Sequence, residues 1–249
     1  MGRTFVIGDI HGERAMLERV LDRLPFVAPD DTLVLLGDYV DRGPDARGVV
    51  DRLRRLPEET AGKVVLLRGN HEDAYLRSLT PGADGKRELE VGFFLARSNG
   101  VAETFRSFTD RVVVPGAELT MDEAKDLFEL EGWLPVAVQA WMARLALWYE
   151  DDHAIYVHAG LDGEGAAWKH PRDGAERPLL WMREQDFFTE YAGKPVVFGH
   201  TPVTELPPHD PARAGVWRRG PLWGLDTGAG RGGWLSAVEL PAGTIYDSR

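Results

Sequence analysis

Six side chains able to bind a metal recur along this 249-residue chain, each within two positions of a glycine. Asp9 and His11 lie in Gly8-Asp9-Ile10-His11-Gly12, Asp38 in Gly37-Asp38-Tyr39-Val40-Asp41-Arg42-Gly43, and Asn70 in Gly69-Asn70-His71-Glu72. His158 lies in Val157-His158-Ala159-Gly160 and His200 in Gly199-His200-Thr201-Pro202. Asp9 and His11 are one residue apart, so at the end of an extended strand they leave on the same face and can grip one cation. Asp38 brings two oxygens, enough to bridge two cations, and Asn70, His158 and His200 can complete the second shell. Two adjacent divalent cations point to phosphate-ester hydrolysis. Oxygen and imidazole donors suit manganese first, with iron or zinc as alternatives.

A lone Asp-x-His or Gly-His is more often an ordinary turn, so the signal is the concentration. Of seven histidines, His11, His71, His158 and His200 fall at strand ends near glycine. His153, His170 and His209 lie in polar or proline-rich surroundings and read as surface residues.

The elements that must carry these residues are visible as patterns. Residues 4–9, 32–38 and 63–70 are short apolar runs, rich in branched residues, that stop at Gly followed by Asp or Asn, and such runs read as buried strands. Between them Met16, Leu17, Val20, Leu21 and Leu24, then Val49, Val50, Leu53 and Leu56, recur at helical spacing. Right-handed crossovers make the three strands parallel and bring their carboxyl ends to one edge, where Asp9, Asp38 and Asn70 converge. Residues 73–150 read as a helical segment beside that edge. A second β-rich part follows, with strands near 153–158, 194–199, 221–226, 234–240 and 243–247, and the stretch 202–219 with its prolines reads as an exposed loop. The expected fold class is α/β, two mixed β-sheets packed face to face and flanked by helices, in a single domain spanning 1–249.

Composition removes other classes. With 43% hydrophobic and 28% charged residues the chain is ordinary for a globular protein, and no apolar run approaches the ~20 residues of a membrane span. Met1-Gly2-Arg3 runs straight into the first strand, leaving no room for a signal peptide, so a cytoplasmic location is expected. The absence of cysteine excludes disulfides, thiolate metal sites and a cysteine nucleophile. A net charge of −11 argues against binding nucleic-acid backbones, so an anionic substrate must be drawn by a local positive site.

The five words together resemble the signature of the metallophosphoesterase superfamily, in particular its phosphoprotein phosphatase branch in bacterial and phage form. The resemblance runs from residue 5 to about 229. It implies a calcineurin-like four-layer sandwich with a dinuclear centre, in which Asp9, His11 and Asp38 hold one metal while Asp38, Asn70, His158 and His200 hold the other. It also implies that Arg42 clamps the phosphate, as a bidentate guanidinium can, with Arg183 of Trp181-Met182-Arg183-Glu184 as a second phosphate-binding arginine. His71 becomes the acid that protonates the leaving oxygen, and Asp41 orients it. The alternative for Arg183 is an ion pair with Glu184 or Asp186. Arg68 and Glu72 read as loop anchors, and Asp226 as part of a loop near the site.

The implied substrate is a phosphoserine or phosphothreonine protein, with phosphotyrosine in reach. The alternative is diadenosine tetraphosphate or a related nucleotide anhydride, because the symmetrical hydrolases of that class share these words. The loop that binds toxins in eukaryotic phosphatases is absent, and no regulatory subunit is evident. A metal-binding scaffold without activity is a third reading, against which stand the intact His71, Asp41 and Arg42.

Overall fold

Ten strands carry the fold: β1 (Thr4–Ile7), β2 (Thr32–Leu35), β3 (Lys63–Leu66), β4 (Trp148–Glu150), β5 (Ile155–Val157), β6 (Val196–Phe198), β7 (Trp217–Arg219), β8 (Leu222–Gly224), β9 (Ser236–Leu240) and β10 (Thr244–Asp247). The computed structural model describes residues 2–79, 91–129, 132–163, 167–213 and 215–249. One sheet has the order β10-β9-β1-β2-β3 and the other β4-β5-β6-β8-β7. Each is mixed, with three parallel strands: β1, β2 and β3 in the first, β5, β6 and β8 in the second.

Alternation along the strands sets the layers. Phe5, Ile7, Leu33 and Leu35 point outward onto Leu17 and Val20 of α1 (Arg14–Arg23) and onto Val49, Val50 and Leu53 of α2 (Ala46–Glu59). Their neighbours Val6, Val34, Leu36 and Leu67 face the other sheet and pack on Tyr156, Val197, Trp223 and Leu225. The outer face of that sheet, Ile155, Val157, Val196, Phe198 and Leu222, is covered by Leu179, Phe187 and Phe188, from α8 (Glu176–Trp181) and α9 (Gln185–Glu190). Helix, sheet, sheet and helix are therefore stacked as expected, and strands buried on both faces explain why the sequence shows continuous apolar runs.

Register fixes the site edge. Ile7 stands opposite Leu35 and Leu35 opposite Leu66, so the loops that follow these strands start level with one another. Phe198 likewise stands opposite Gly224.

The segment between the two β-rich parts is helical, with α3 (Asn70–Leu79), α4 (Val91–Leu95), α5 (Val101–Phe108), α6 (Met121–Glu129) and α7 (Val136–Ala143). Residues 80–90 and 130–131 of it lie outside the described residues. Two expectations need correction. The end of the 73–150 stretch is the edge strand β4, whose three partly exposed residues do not show as an apolar run. The 202–219 stretch is not wholly an exposed loop: Val203 and Leu206 are buried, it ends in strand β7, and the Arg213 guanidinium gathers the carbonyls of Val203, Leu206 and Pro208. Among the described residues no helix is long and apolar enough to cross a membrane.

Two ion pairs tie α5 and the turn after it to α6, Arg111 to Asp126 at 2.6 Å and the more buried Arg106 to Glu123. Arg106 donates from Nε and Nη2 to the two oxygens of Glu123, at 2.8 Å each. Glu123 also closes a capping box at the start of α6, accepting from Thr120 N at 2.9 Å while its own N donates to Thr120 Oγ1 at 3.2 Å. The Arg106 hydrogen bond, outweighing burial, holds the Glu123 carboxyl down to about 2. A depressed carboxyl stabilises the fold fully above its ordinary value and loses that contribution as pH falls through the folded value. Glu123→Gln should therefore cost about 1–2 kcal/mol at neutral pH, solvent screening of the part-buried pair reducing the effect of the full shift. The difference from the parent in urea midpoint should shrink between about pH 4.5 and pH 2, whereas a gap independent of pH would refute this account.

Candidate metal and phosphate site

The loops after the central strands meet at one buried place. Asp9 and His11 follow β1; Asp38, Asp41 and Arg42 follow β2; Asn70 and His71 open α3 after β3. From the second sheet, His158 follows β5 and His200 follows β6. All except Arg42 are buried, with no residue of the group more than 6% exposed. Five non-glycine residues here have left-handed backbones: His11 (φ 46°), Asp38 (φ 51°), Asp41 (φ 71°), Arg42 (φ 70°) and His200 (φ 63°). Such conformations cost on the order of 1–3 kcal/mol each, so the surrounding structure must enforce them.

Glu72 does much of that enforcing. Its buried carboxylate accepts from the amides of Asp38 (3.0 Å), Tyr39 (2.8 Å) and Gly69 (2.9 Å), tying the β2 and β3 loops together. Burial and the neighbouring Asp38 charge raise its carboxyl to about 7. The glycines permit the close approach: a Cβ on Gly69 would stand 2.1 Å from Asp38 Oδ1. Arg68 anchors its own stretch, Nη2 donating to Ala143 O at 2.9 Å.

Asp38 is central. Its Oδ2 lies 3.5 Å from His11 Nε2 and 3.8 Å from His71 Nε2, and its Oδ1 lies 3.4 Å from His158 Nε2. Two groups of donor atoms thus share this carboxylate: His11, Asp38 and His71 on one side, Asp38, His158 and His200 on the other. Asn70 joins the second group, its Oδ1 lying 3.0 Å from His158 Nε2 and 2.8 Å from His200 Nδ1. Asp9 reaches the seam between the sheets, with Oδ2 accepting from His200 N at 2.8 Å.

Proton placement shows what the arrangement lacks. The pKa values of His11, His158 and His200 are all lowered, burial being the first cause in each, so these rings are neutral at neutral pH and carry one N–H apiece. His11 Nδ1 uses its proton on Val40 O and His158 Nδ1 on Leu36 O, each at 3.0 Å. Their Nε2 lone pairs therefore face carboxylate and amide oxygens; for His158 no proton lies between. Burial alone would raise the Asp38 carboxyl, and it is positive charge at the surrounding imidazole positions, His158 and His71 foremost, that brings it below the ordinary range; with His11, His158 and His200 neutral, a bound cation would have to supply that charge. Among the described residues, Asp9 Oδ1 and His200 Nε2 are buried without a hydrogen-bond partner. Converging lone pairs and orphaned donor atoms of oxygen and imidazole type are what a divalent cation site requires. The residues present fit such ions.

The remaining expected residues form a second cluster beside the first. His71 Nδ1 lies 2.5 Å from Asp41 Oδ2. Asp41 Oδ1 accepts from Tyr75 Oη and Thr104 Oγ1 at 2.7 Å each, and Asp41 N donates to the same Thr104 oxygen. Both ends of the carboxylate are thereby fixed, leaving His71 Nε2 aimed at Asp38. Arg42 lies across these rings, with Nη2 3.1 Å from His71 Nε2 and Nη1 against His11 Nε2. Its backbone is held by N–H donation to Gly100 O at 3.0 Å. Arg183 stands at the rim, half exposed. It pairs with neither Glu184 nor Asp186 but with Glu205 at 3.4 Å, and it donates to His200 O at 3.3 Å.

Tyr75, Thr104 and Gly100 escaped the sequence reading, since nothing in a helix at residues 101–108 signals a contact with residue 41. Asp226 was placed in the loop near the site and lies there, buried, its carboxyl raised first by burial. Of the histidines read as surface, His209 is exposed, but His153 and His170 are half-buried, bonding Gly2 O and Glu150 Oε2 at 2.9 Å each.

A family model described as calcineurin-like phosphoesterase matches residues 2–204. The chain is 40% identical to a symmetrical bis(5'-nucleosyl)-tetraphosphatase of Paracidovorax citrulli over 96% of its own length and 92% of the relative's. It is 29% identical to serine/threonine-protein phosphatase 2 of Escherichia coli over 71% of its length, and that match covers 66% of the relative, just under two thirds. A solved structure described as a candidate diadenosine tetraphosphatase superposes over 99% of this chain and 92% of its own, with TM-score 0.61 and 25% identity.

Removing the Glu72 side chain should unpair four buried amides at once, those of Asp38, Tyr39 and Gly69 and, at 3.3 Å, that of Val40. Glu72→Ala is expected to cost more than about 3 kcal/mol, at about 1–3 kcal/mol for each orphaned group, read from urea denaturation. An unchanged midpoint would show that Glu72 does not hold the loops.

Proposed function

The chain belongs to the calcineurin-like phosphoesterase family and is a hydrolase; we propose that residues 1–249 form one domain that hydrolyses phosphate groups at the Asp38 cluster. The observation that carries this reading is the pair of donor groups sharing one buried carboxylate; in the first, Asp9, whose Oδ1 is buried and unpartnered among the described residues, is taken as the ligand in place of His71, whose ring is held by Asp41. Asp9, His11 and Asp38 would hold one divalent ion, and Asp38, Asn70, His158 and His200 the other, with manganese first and iron or zinc as alternatives. Such ions, when bound, supply an activated water and neutralise phosphate charge.

The chain's own residues do the rest. Arg42, largely buried and permanently charged, presents a planar fork that matches two phosphate oxygens, and Arg183 adds charge from the rim. Asp41 fixes the Nδ1 side of His71, so the ring hands its Nε2 proton to the leaving oxygen.

Two substrate classes follow. The complete Gly-Asp-Tyr-Val-Asp-Arg-Gly and Leu-Arg-Gly-Asn-His-Glu words support a serine/threonine protein phosphatase, as does the name of the Escherichia coli relative. The relative matched over nearly its whole length is named for dinucleoside tetraphosphates, and this favours the anhydride. A phosphorylated protein or nucleotide is thus the partner proposed, and the cytoplasm the location.

Metal-loaded protein should release p-nitrophenol from p-nitrophenyl phosphate at neutral pH and stop when chelated. No release with any divalent ion would leave the scaffold reading standing. His71→Asn should retain its metal yet lose about 10²–10⁴ in turnover of alkyl phosphates, and far less on p-nitrophenyl phosphate, whose leaving group needs no proton. Equal losses on both would remove His71 from the acid's role.

A further inference from the structure

The turn after β8, Asp226-Thr227-Gly228-Ala229-Gly230-Arg231-Gly232-Gly233-Trp234, is built as a closed unit. The amides of Arg231 and Gly233 both donate to Gly228 O at 2.9 Å, Gly228 N donates to Asp226 Oδ1 at 3.0 Å, and Thr227 Oγ1 donates to Trp234 O at 2.6 Å. Gly228, Gly230 and Gly232 take left-handed φ values of 88°, 71° and 81°. The turn lies directly on the site. A Cβ added to Gly230 would stand 2.9 Å from the Cβ of Arg42 and 2.9 Å from that of His11.

The next residue, Arg231, is exposed, and among the described residues its guanidinium makes no hydrogen bond or ion pair. The Arg231 Cα is one backbone step, about 3.8 Å, from that of Gly230, the residue packed against Arg42 and His11. Two guanidinium groups held on one side of the cluster repel each other unless an anion lies between or beside them. In a chain of net charge −11, two arginines on neighbouring loops at one site are a local exception.

We propose that Arg231 is a specificity residue that binds a second phosphate of the substrate, next to the one clamped by Arg42, and that the chain therefore takes a polyphosphate such as a dinucleoside tetraphosphate. This rests on the phosphohydrolase reading above. Neighbouring phosphates share a bridging oxygen, so the second anion falls beside the first at a fixed distance. In a phosphopeptide the nearest acidic side chain is displaced by at least one backbone step of about 3.8 Å and hangs on a rotatable stem. In the reaction, the oxygen of water bonds to phosphorus and the bridging P–O bond breaks. Its electron pair leaves with the bridging oxygen on the departing phosphate chain, and one proton of the water passes to solvent. Arg231 holds a phosphate that is not attacked.

The test compares the metal-loaded parent, Arg231→Ala and Arg231→Lys on diadenosine tetraphosphate, a phosphoserine peptide flanked by acidic residues and p-nitrophenyl phosphate. Calorimetry of inorganic tripolyphosphate and inorganic phosphate binding runs alongside. Arg231→Ala should raise KM for diadenosine tetraphosphate by about tenfold or more, the scale of one lost charge-assisted contact, and weaken tripolyphosphate binding in proportion. Its effects on p-nitrophenyl phosphate and on inorganic phosphate should be several-fold smaller, with Arg231→Lys between parent and Ala. Equal effects across substrates, no effect on the tetraphosphate, or a loss confined to the acidic phosphopeptide would overturn the proposal. If the parent hydrolyses nothing, the phosphohydrolase reading fails, while the tripolyphosphate affinities still decide the role of Arg231.

Discussion

A carboxylate buried at 2% exposure between imidazoles is the constraint around which this molecule is organised. Asp38 could be stripped of water only where opposite charge or donors replace it, and the fold brings groups to it from both sheets. The amide of His71, in the first turn of α3, gives Asp38 Oδ1 one donor at 3.1 Å, while the lone pairs of His11, from the loop after β1, and of His158, from the sheet packed against the first, leave the rest of that charge to be met by a cation. The face-to-face packing of Val34 and Leu36 on Tyr156 and Val197 is thus a condition of the site as well as a core. Left-handed backbones at His11, Asp38, Asp41, Arg42 and His200 are held against their own preference, and Glu72, buried and bonded to four loop amides, shows where the opposing stabilisation comes from.

The part of this that was legible in the sequence is the part set by local pattern. Apolar runs ending in Gly-Asp or Gly-Asn gave away β1, β2 and β3, because a strand buried on both faces has no polar alternation to blur it. Their parallel register then placed Asp9, Asp38 and Asn70 together by topology alone. Edge strands were not legible: β4 and β7 are as short as β5, β6 and β8, but they carry partly exposed or charged residues where those three are buried throughout and show as apolar runs. Contacts made across the fold were also invisible. Thr104 reaches Asp41 over 63 positions, and Arg183 chooses Glu205 over its sequence neighbours, since only the assembled loops decide which charges meet.

Electrostatics links the site to its substrate. The chain as a whole repels anions, so attraction must be local, and the structure concentrates Arg42, Arg183 and Arg231 on separate loops around one cluster. Arg42 is the innermost and pays in desolvation for its position, which is why its backbone is held by Gly100 and its flank by the Gly230 turn. The loops differ in how firmly they are built. The Gly228–Gly233 turn is cross-linked by its own amides, whereas Arg183 rests on a half-exposed pair with Glu205, an arrangement of small energetic weight.

Anomalous diffraction from crystals grown with manganese tests the central claim most directly. The account predicts two neighbouring manganese peaks that share Asp38, one toward His11 and Asp9 and the other toward Asn70, His158 and His200. A single peak, or peaks lying away from Asp38, would contradict it.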